Sequence, residues 1–443
     1  MGWKKPETCG HSFTILLLLI FLTGFSQARA LTLEELVREG LKRAKTIRTS
    51  EYEVQMQAQE VNKAFSSFLP TLTFQSTFTR TEKLPEMTFG SGPFAQKITF
   101  GFKNNYQNTL NLNYILFAGG LRLDAYNLSR NMVQVKSLQL EQTGNEVRNR
   151  IELAYYSYKL VESALAIAES SFARTKEHLE VSRAQFNEGR IPKLSLQQAE
   201  LSLSQALVRV NETKTQLQIA RQALAIAVGF PQDTVFEVEG SLAYIPFDYP
   251  LDSLIHLGFK HRPELKTFAY LRHIAELAKD MAWKKYLPSI GISLTYSYNK
   301  PFYYENEFRS NWMTTVFFKL PIFDGFYNKY EYESAMINID KILSQENQAR
   351  EGVEFEIRSG YLEFTLAKEQ LELARHTLDL ASAAYKTAEE QFNNGFLSNL
   401  EYKDAELQYT QAEFGYISAL HNYLKARSSL MKSSGLYDIR EEK

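Results

Sequence analysis

Cysteine is all but missing, since Cys9 is the single one in 443 residues. It sits in an N-terminal stretch patterned as a cleaved signal: Lys4 and Lys5, an apolar run from Phe13 to Leu22, and Ala28-Arg29-Ala30 at the spacing a signal peptidase reads. Removal of that segment leaves no disulfide, no cysteine zinc site and no cysteine for a lipid anchor. Long apolar runs are absent too: the run to Leu22 is shorter than the roughly 20 residues of a membrane-spanning helix, and nothing later is as apolar. Charge of either sign is not in excess. Without the signal, 47 basic residues face 50 acidic ones, which removes any electrostatic case for binding nucleic acid.

Catalytic groupings are missing as well. No nucleophile, base and orienter fall together, and no phosphate loop or metal signature occurs, so no enzyme chemistry and no cofactor is expected. His178, His256, His261, His273, His376 and His421 are scattered and read as surface or interface histidines.

Proline is scarce where it would matter most. None occurs between Gly120 and Phe186, or between Gly325 and Phe392. Each stretch keeps a helical pattern over some 67 residues, a rod of roughly 100 Å at about 1.5 Å per residue.

What the chain does have is a repeat. A shift of 206 residues lays Phe117–Gly229 on Phe323–Gly435 without a gap. Gln185-Phe186-Asn187-Glu188-Gly189 falls on Gln391-Phe392-Asn393-Asn394-Gly395, and Gly119/Gly325, Tyr126/Tyr332, Ile151/Ile357, Tyr155/Tyr361 and Glu200/Glu406 coincide. Units of this size are too long for a solenoid. The expected organisation is a signal over 1–30, a first copy over 31–247 and a second over 248–435, with a short tail over 436–443. The first copy holds a helix, a strand hairpin over 70–117, a long helical hairpin over 119–229 and a linker over 230–247. The second holds a helix, a strand hairpin over 288–323 and a helical hairpin over 325–433.

Helical pattern runs from Leu33 to Phe65 and from about Leu251 to Lys285, ending before Pro70 and Pro288, because proline removes a helix donor and clashes with the preceding turn. The period then changes to 2. Leu72, Phe74 and Phe78 alternate with threonines and Gln75; Ile98 to Leu116 alternates with Thr, Asn and Gln; Ile290 to Tyr298 alternates with Ser, Thr and Asn. In the fourth segment Phe308, Trp312, Val316, Phe318, Leu320 and Ile322 share a face. A soluble sheet with one face on a core shows the same alternation. Strand length, the secretion signal, aromatic residues at segment ends and a polar face rich in Asn, Gln and Thr point instead to a membrane barrel. Four strands cannot close one, and lipid does not tolerate open edges, so the chain must associate through its strands: 8 in a dimer, 12 in a trimer and 16 in a tetramer. The fold class is an α+β membrane protein with four transmembrane strands per chain and an internal two-fold repeat.

The Leu-Pro pairs at Leu69-Pro70 and Leu287-Pro288, Phe-x-Gly at Phe117 and Phe323, and Gly395 followed by Leu400-Glu401 and Asp404-Ala405-Glu406 are each weak motifs. In this order the chain resembles the TolC-like outer membrane efflux proteins from Leu31 to about Gly435. The resemblance implies a homotrimer whose 12-stranded barrel in outer-membrane lipid is continuous with a long periplasmic α-helical barrel. It also implies two partners: a periplasmic adaptor, and an inner-membrane pump or type I secretion ATPase. The function implied is an exit duct that conducts cargo passively. A periplasmic adaptor also has a long helical hairpin but only one; a structural helical-hairpin envelope protein would not need matched strand hairpins.

The tips carry the candidate site. Gly189 and Gly395 supply left-handed residues between helices, and Phe186 and Phe392 are expected to pack between helices, with Phe392 also a candidate for narrowing the pore. Glu401 and Asp404, three residues apart on one helix face, match acidic positions that the resembling channels place at the pore constriction. By residue type alone, acids at a helix start complement its dipole. The first tip has Ser195 and Gln198 at the equivalent positions. Arg190 and Lys193 are candidates to pair with those acids and hold the tip shut, to sit solvated, or to meet an adaptor.

Overall fold

The computed structural model describes residues 30–231, 234 and 236–437; the signal-peptide reading, apart from its last residue Ala30, and all of the tail beyond Tyr437 lie outside them. Two compact units form. One draws on segments up to Arg48, Gly144–Leu254 and from Glu356 onward, the other on Thr49–Thr143 and Ile255–Phe355.

The sheet unit begins in helix α2 (Lys45–Ser66), which follows α1 (Leu33–Arg43). These replace the single helix expected from Leu33 to Phe65. The break is Ala44, whose ψ of 120° leaves the helical region; no proline or glycine marks it. The corresponding second helix also divides, into α5 (Leu251–His261) and α6 (Pro263–Lys284). There the cause is local: Pro263 forces Arg262 out of the helical region, at φ −61° and ψ 124°.

Four antiparallel strands, β2 (Thr71–Arg80), β5 (Asn104–Ala118), β7 (Ser289–Lys300) and β8 (Arg309–Lys319), pair in the order β2-β5-β7-β8. Strand β5 starts later than the alternation from Ile98 suggested. Residues Gln96–Thr99 (β4) instead pair with Glu86–Phe89 (β3) in a small hairpin, and Gly101 at φ +97° separates β4 from β5.

Register fixes the two faces, because successive side chains in a strand point to opposite sides. Leu72, Leu112 and Leu294 line up across three strands, as do Phe74, Leu110, Tyr296 and Trp312 across all four. Phe78, Tyr106, Phe308 and Tyr298 make a continuous aromatic row with centroids 4.8, 5.6 and 5.2 Å apart. The opposite face aligns Thr73, Asn111 and Thr295, with the Thr295 hydroxyl donating to Asn111 at 2.8 Å. The apolar face is open: Phe74 is 70% and Trp312 64% exposed. Strands β2 and β8 have no partner on their outer edges among the described residues.

In the helical unit, β1 (Ala30–Leu31) pairs with β6 (Glu237–Val238), and Leu36, Ile151, Leu224, Leu254, Ile357, Tyr423 and Leu430 form its buried centre. Long helices supply most of it. Helix α3 spans Leu121–Asn187 and α7 Tyr327–Asn393, 67 residues each, so both ends of α7 lie 206 residues after those of α3. Their first turns belong to the sheet unit. The returning helices are α4 (Lys193–Val228) and α8 (Asn399–Ser433). Side chains from the long helices pin the linker: Tyr155 donates to the Glu239 carbonyl at 3.0 Å, Lys159 to Val238 at 2.8 Å and Tyr423 to Ile245 at 2.8 Å. Among the described residues no helix is long and apolar enough to cross a membrane.

Candidate functional site

Both helical tips close in the same way. Gly189 at φ +71° and Gly395 at φ +77° take the left-handed conformation that a side chain would disfavour. The amide of Arg190 bonds the Gln185 carbonyl at 2.9 Å and that of Phe396 bonds Gln391 at 2.8 Å, the long bond of a Schellman turn. The helices that follow start differently. Helix α4 begins after Pro192 with no side-chain cap, whereas Ser398 and Glu401 form a reciprocal capping box at the start of α8.

Glu401 is therefore committed within its own chain. Its carboxylate accepts from the Ser398 hydroxyl at 2.6 Å and the Ser398 amide at 3.0 Å, and those bonds hold its pKa below the ordinary carboxylate value. Asp404 is exposed and accepts from Gln408 at 3.0 Å. It lines a groove of about 430 Å³ between α4 and α8, and Gln198, its counterpart under the 206-residue shift, lines the same groove.

The basic residues do not meet these acids within one chain. Arg190 pairs with Glu188 at 2.9 Å, and among the described residues no ion pair joins Arg190 or Lys193 to Glu401 or Asp404. Phe186 is half-buried. Phe392 is only 6% exposed, with its ring 4.8 Å from Tyr402 and 5.2 Å from His178. A ring so enclosed is helix-packing core and cannot also narrow a pore, which corrects that part of the expectation.

The same packing overturns the surface reading of His178. Its ring is 3% exposed and stacks on Tyr402 at 4.9 Å and 11°, with the Asn399 side chain beside it. Burial, followed by the nearby Lys403 charge, pushes its pKa down to about 4. Next to it the Tyr385 hydroxyl donates to Glu389 at 2.9 Å and lies 3.3 Å from that of Tyr402. Farther along, Arg174 bridges Glu413 and Thr410, each at 3.1 Å. Glu406 is 4% exposed and held by Thr175 at 3.3 Å and Lys403 at 3.5 Å.

Comparison with known proteins decides the family. The model of the outer membrane efflux protein family matches twice, over residues 36–230 and 254–436. The chain belongs to the outer membrane efflux protein family. This efflux-family protein is similar to the probable efflux pump outer membrane protein TtgC of Pseudomonas putida, with 21% identity over 323 residues. That alignment takes in 69% of this chain but spans 64% of the length of TtgC. Among solved structures, the outer membrane channel CmeC of Campylobacter jejuni superposes with a TM-score of 0.71 at 17% identity, covering 93% of this chain and 89% of that one. VceC of Vibrio cholerae gives 0.72 at 14% identity, covering 91% and 96%. The fold is thus that of the TolC-like outer membrane channels. The family's location, the outer membrane with an extension into the periplasm, is the location of this protein, and it is not an enzyme.

In this efflux protein, the residues that sequence reasoning missed at the tip are His178, Arg174 and Tyr385. Glu406, noted as a repeat identity and as part of the tip motif, carries a further hint. Its counterpart Glu200 is exposed and lies 3.8 Å from Arg183, so one acid of an identical pair has been drawn into the helix packing.

Proposed function

We propose that the protein is the outer-membrane exit duct of a tripartite efflux pump, a passive conduit working as a homotrimer with a periplasmic adaptor and an inner-membrane pump. One observation carries the reading: a four-stranded sheet with an apolar face, a polar face and two unpartnered edges among the described residues. Lipid supplies no hydrogen bonds to such edges, and three copies close them as 12 strands with the Thr, Asn and Gln face inward. The two 67-residue helices and the 206-residue repeat support a periplasmic tunnel built from paired hairpins.

Purified in detergent, the protein is expected to be three protomers of about 51.0 kDa or slightly less each. Native mass measurement returning a stable monomer ends the proposal. Orientation is tested separately. Gly92 lies in the loop beyond β2, exposed and with open space where a side chain would project, so an epitope inserted there is expected to be reached by antibody on intact cells. One placed at Gly395 is not, and the opposite pattern inverts the topology.

Glu401 and Asp404 are proposed as lumen-facing carboxylate rings in the trimer, with Gly189, Gly395, Arg190 and Lys193 framing the mouth. Asp404 is the freer of the two, and Glu401 can serve both as cap and as charge. Replacing both by Ala is expected to lower cation preference and divalent block in single-channel recordings. Ser195→Ala with Gln198→Ala leaves both unchanged. Wild-type selectivity in the double acid variant would show that these residues only start a helix.

A further inference from the structure

Arg427 is an anomaly in the helical unit. It is 5% exposed, its Nε makes no hydrogen bond, and among the described residues no ion pair reaches it. The nearest compensation is the face of Phe247, 5.7 Å from the guanidinium carbon. A buried cation held only by a ring is poorly satisfied, because a charge removed from water needs a counter-charge or several hydrogen bonds.

The repeat provides an internal control. Arg221, 206 residues earlier, also sits over a phenylalanine, Phe236, at 5.4 Å. Its guanidinium, however, donates to the Phe236 carbonyl. The two arginines share a ring contact and differ in whether the donors are used.

Arg427 also lines a cavity, although its Nε is itself sealed from solvent. Arg427 lines a groove of about 940 Å³, together with Arg38, Arg148, Leu33, Val37 and Leu41, closed on other sides by Tyr156 and Ile245. Two acids also line it. Glu152 is already saturated: Arg148 lies 3.4 Å away, and the Ser428 and Tyr437 hydroxyls donate to it at 2.7 and 2.9 Å. Glu34 is exposed, in the first turn of α1. Among the groove's lining residues, Arg427 and Arg38, the latter also acting on Glu39 next to it, therefore outnumber Glu34, and the groove favours an anion. Its leucine, valine and isoleucine walls favour an apolar body behind that charge.

We propose that this groove binds a small organic carboxylate, with the acid group on Arg427 and the hydrocarbon against Leu33, Val37, Leu41 and Ile245. The two terminal Nη nitrogens of a guanidinium offer a carboxylate two parallel donors, which the ring of Phe247 cannot replace. The site is built within one chain and does not depend on the proposed duct.

Titration calorimetry on the full-length detergent-purified protein tests it with benzoate, its neutral isostere benzamide, and inorganic phosphate. Benzoate is expected to bind, benzamide not to bind, and phosphate to bind more weakly than benzoate. Arg427→Gln is expected to weaken benzoate by about ten- to a hundredfold, the worth of a charged hydrogen bond. Because that variant alters a buried position, Leu41→Trp provides a second arm: it fills the groove, leaves Arg427 in place and is expected to abolish binding. Absence of benzoate binding overturns the proposal and identifies Phe247 as the sole partner of Arg427. Equal affinity for benzoate and phosphate overturns the organic class, and full binding in Leu41→Trp overturns the location.

Discussion

Replacing Tyr437 by Ala is expected to destabilise the helical unit by about 4–6 kcal/mol. Tyr437 is 1% exposed, and the Arg148 guanidinium lies 4.7 Å over its ring. Loss of a buried aromatic side chain costs about 3–5 kcal/mol. Its hydroxyl also donates to Glu152 at 2.9 Å and receives from Asn149 at 3.3 Å, so Ala leaves a buried carboxylate short of a donor, worth a further 1–3 kcal/mol or so. The two contributions share partners and will not sum fully. Tyr437→Phe isolates the second and should cost about 1–3 kcal/mol. Urea unfolding of the detergent-solubilised protein, followed by far-UV circular dichroism and limited proteolysis, reads both. A Tyr437→Ala midpoint equal to wild type would show that this residue is not an anchor.

Acid should loosen the tip through His178. Its folded-state pKa of about 4 lies below the ordinary 6.5, so the folded tip binds fewer protons than the unfolded chain between those values. The stabilisation is therefore complete above about 6.5 and is lost progressively as pH falls to about 4, amounting to about 3 kcal/mol. Protonation puts a charge against the stacked rings of Phe392 and Tyr402, near the Lys403 charge. Hydrogen exchange of amides around His178 and Tyr402 should accelerate over this window. His178→Phe keeps an aromatic ring in the stack and removes the titration, so its exchange should vary far less with pH. An unchanged acid response in that variant would move the cause to another group.

How much was legible in the residues depended on whether the controlling interaction was local. Helices α3 and α7 end where Gly189 and Gly395 are needed, and the tip turns were readable because their bonds span only five residues. Alternation exposed β2, β5, β7 and β8, since each side chain's face is set by its own position in the strand. The small hairpin over Glu86–Phe89 and Gln96–Thr99 escaped because its own alternation merged with that of β5. Pro263 was a readable break that the longer periodicity masked, whereas nothing near Ala44 announces one. At the tip, His178 and Tyr402 are 224 residues apart, and no spacing rule brings them together. The orphaned Arg427 was equally hidden, because an arginine on a helix reads as solvated until its neighbours are known.

The outer edges of β2 and β8, unpartnered among the described residues, carry a genetic consequence for the proposed trimer. If the sheet is completed by other copies, as proposed, each assembly is as good as its worst member. One substitution on the outer strand suffices to show it: Leu72→Pro removes a backbone donor and fixes a backbone angle that the ladder does not use. Co-expressed in equal amounts with the normal chain, it would leave about one trimer in eight free of the altered edge if subunits mix at random. Loss of function would then spread well beyond the fraction of altered chains, as a dominant trait rather than a recessive one.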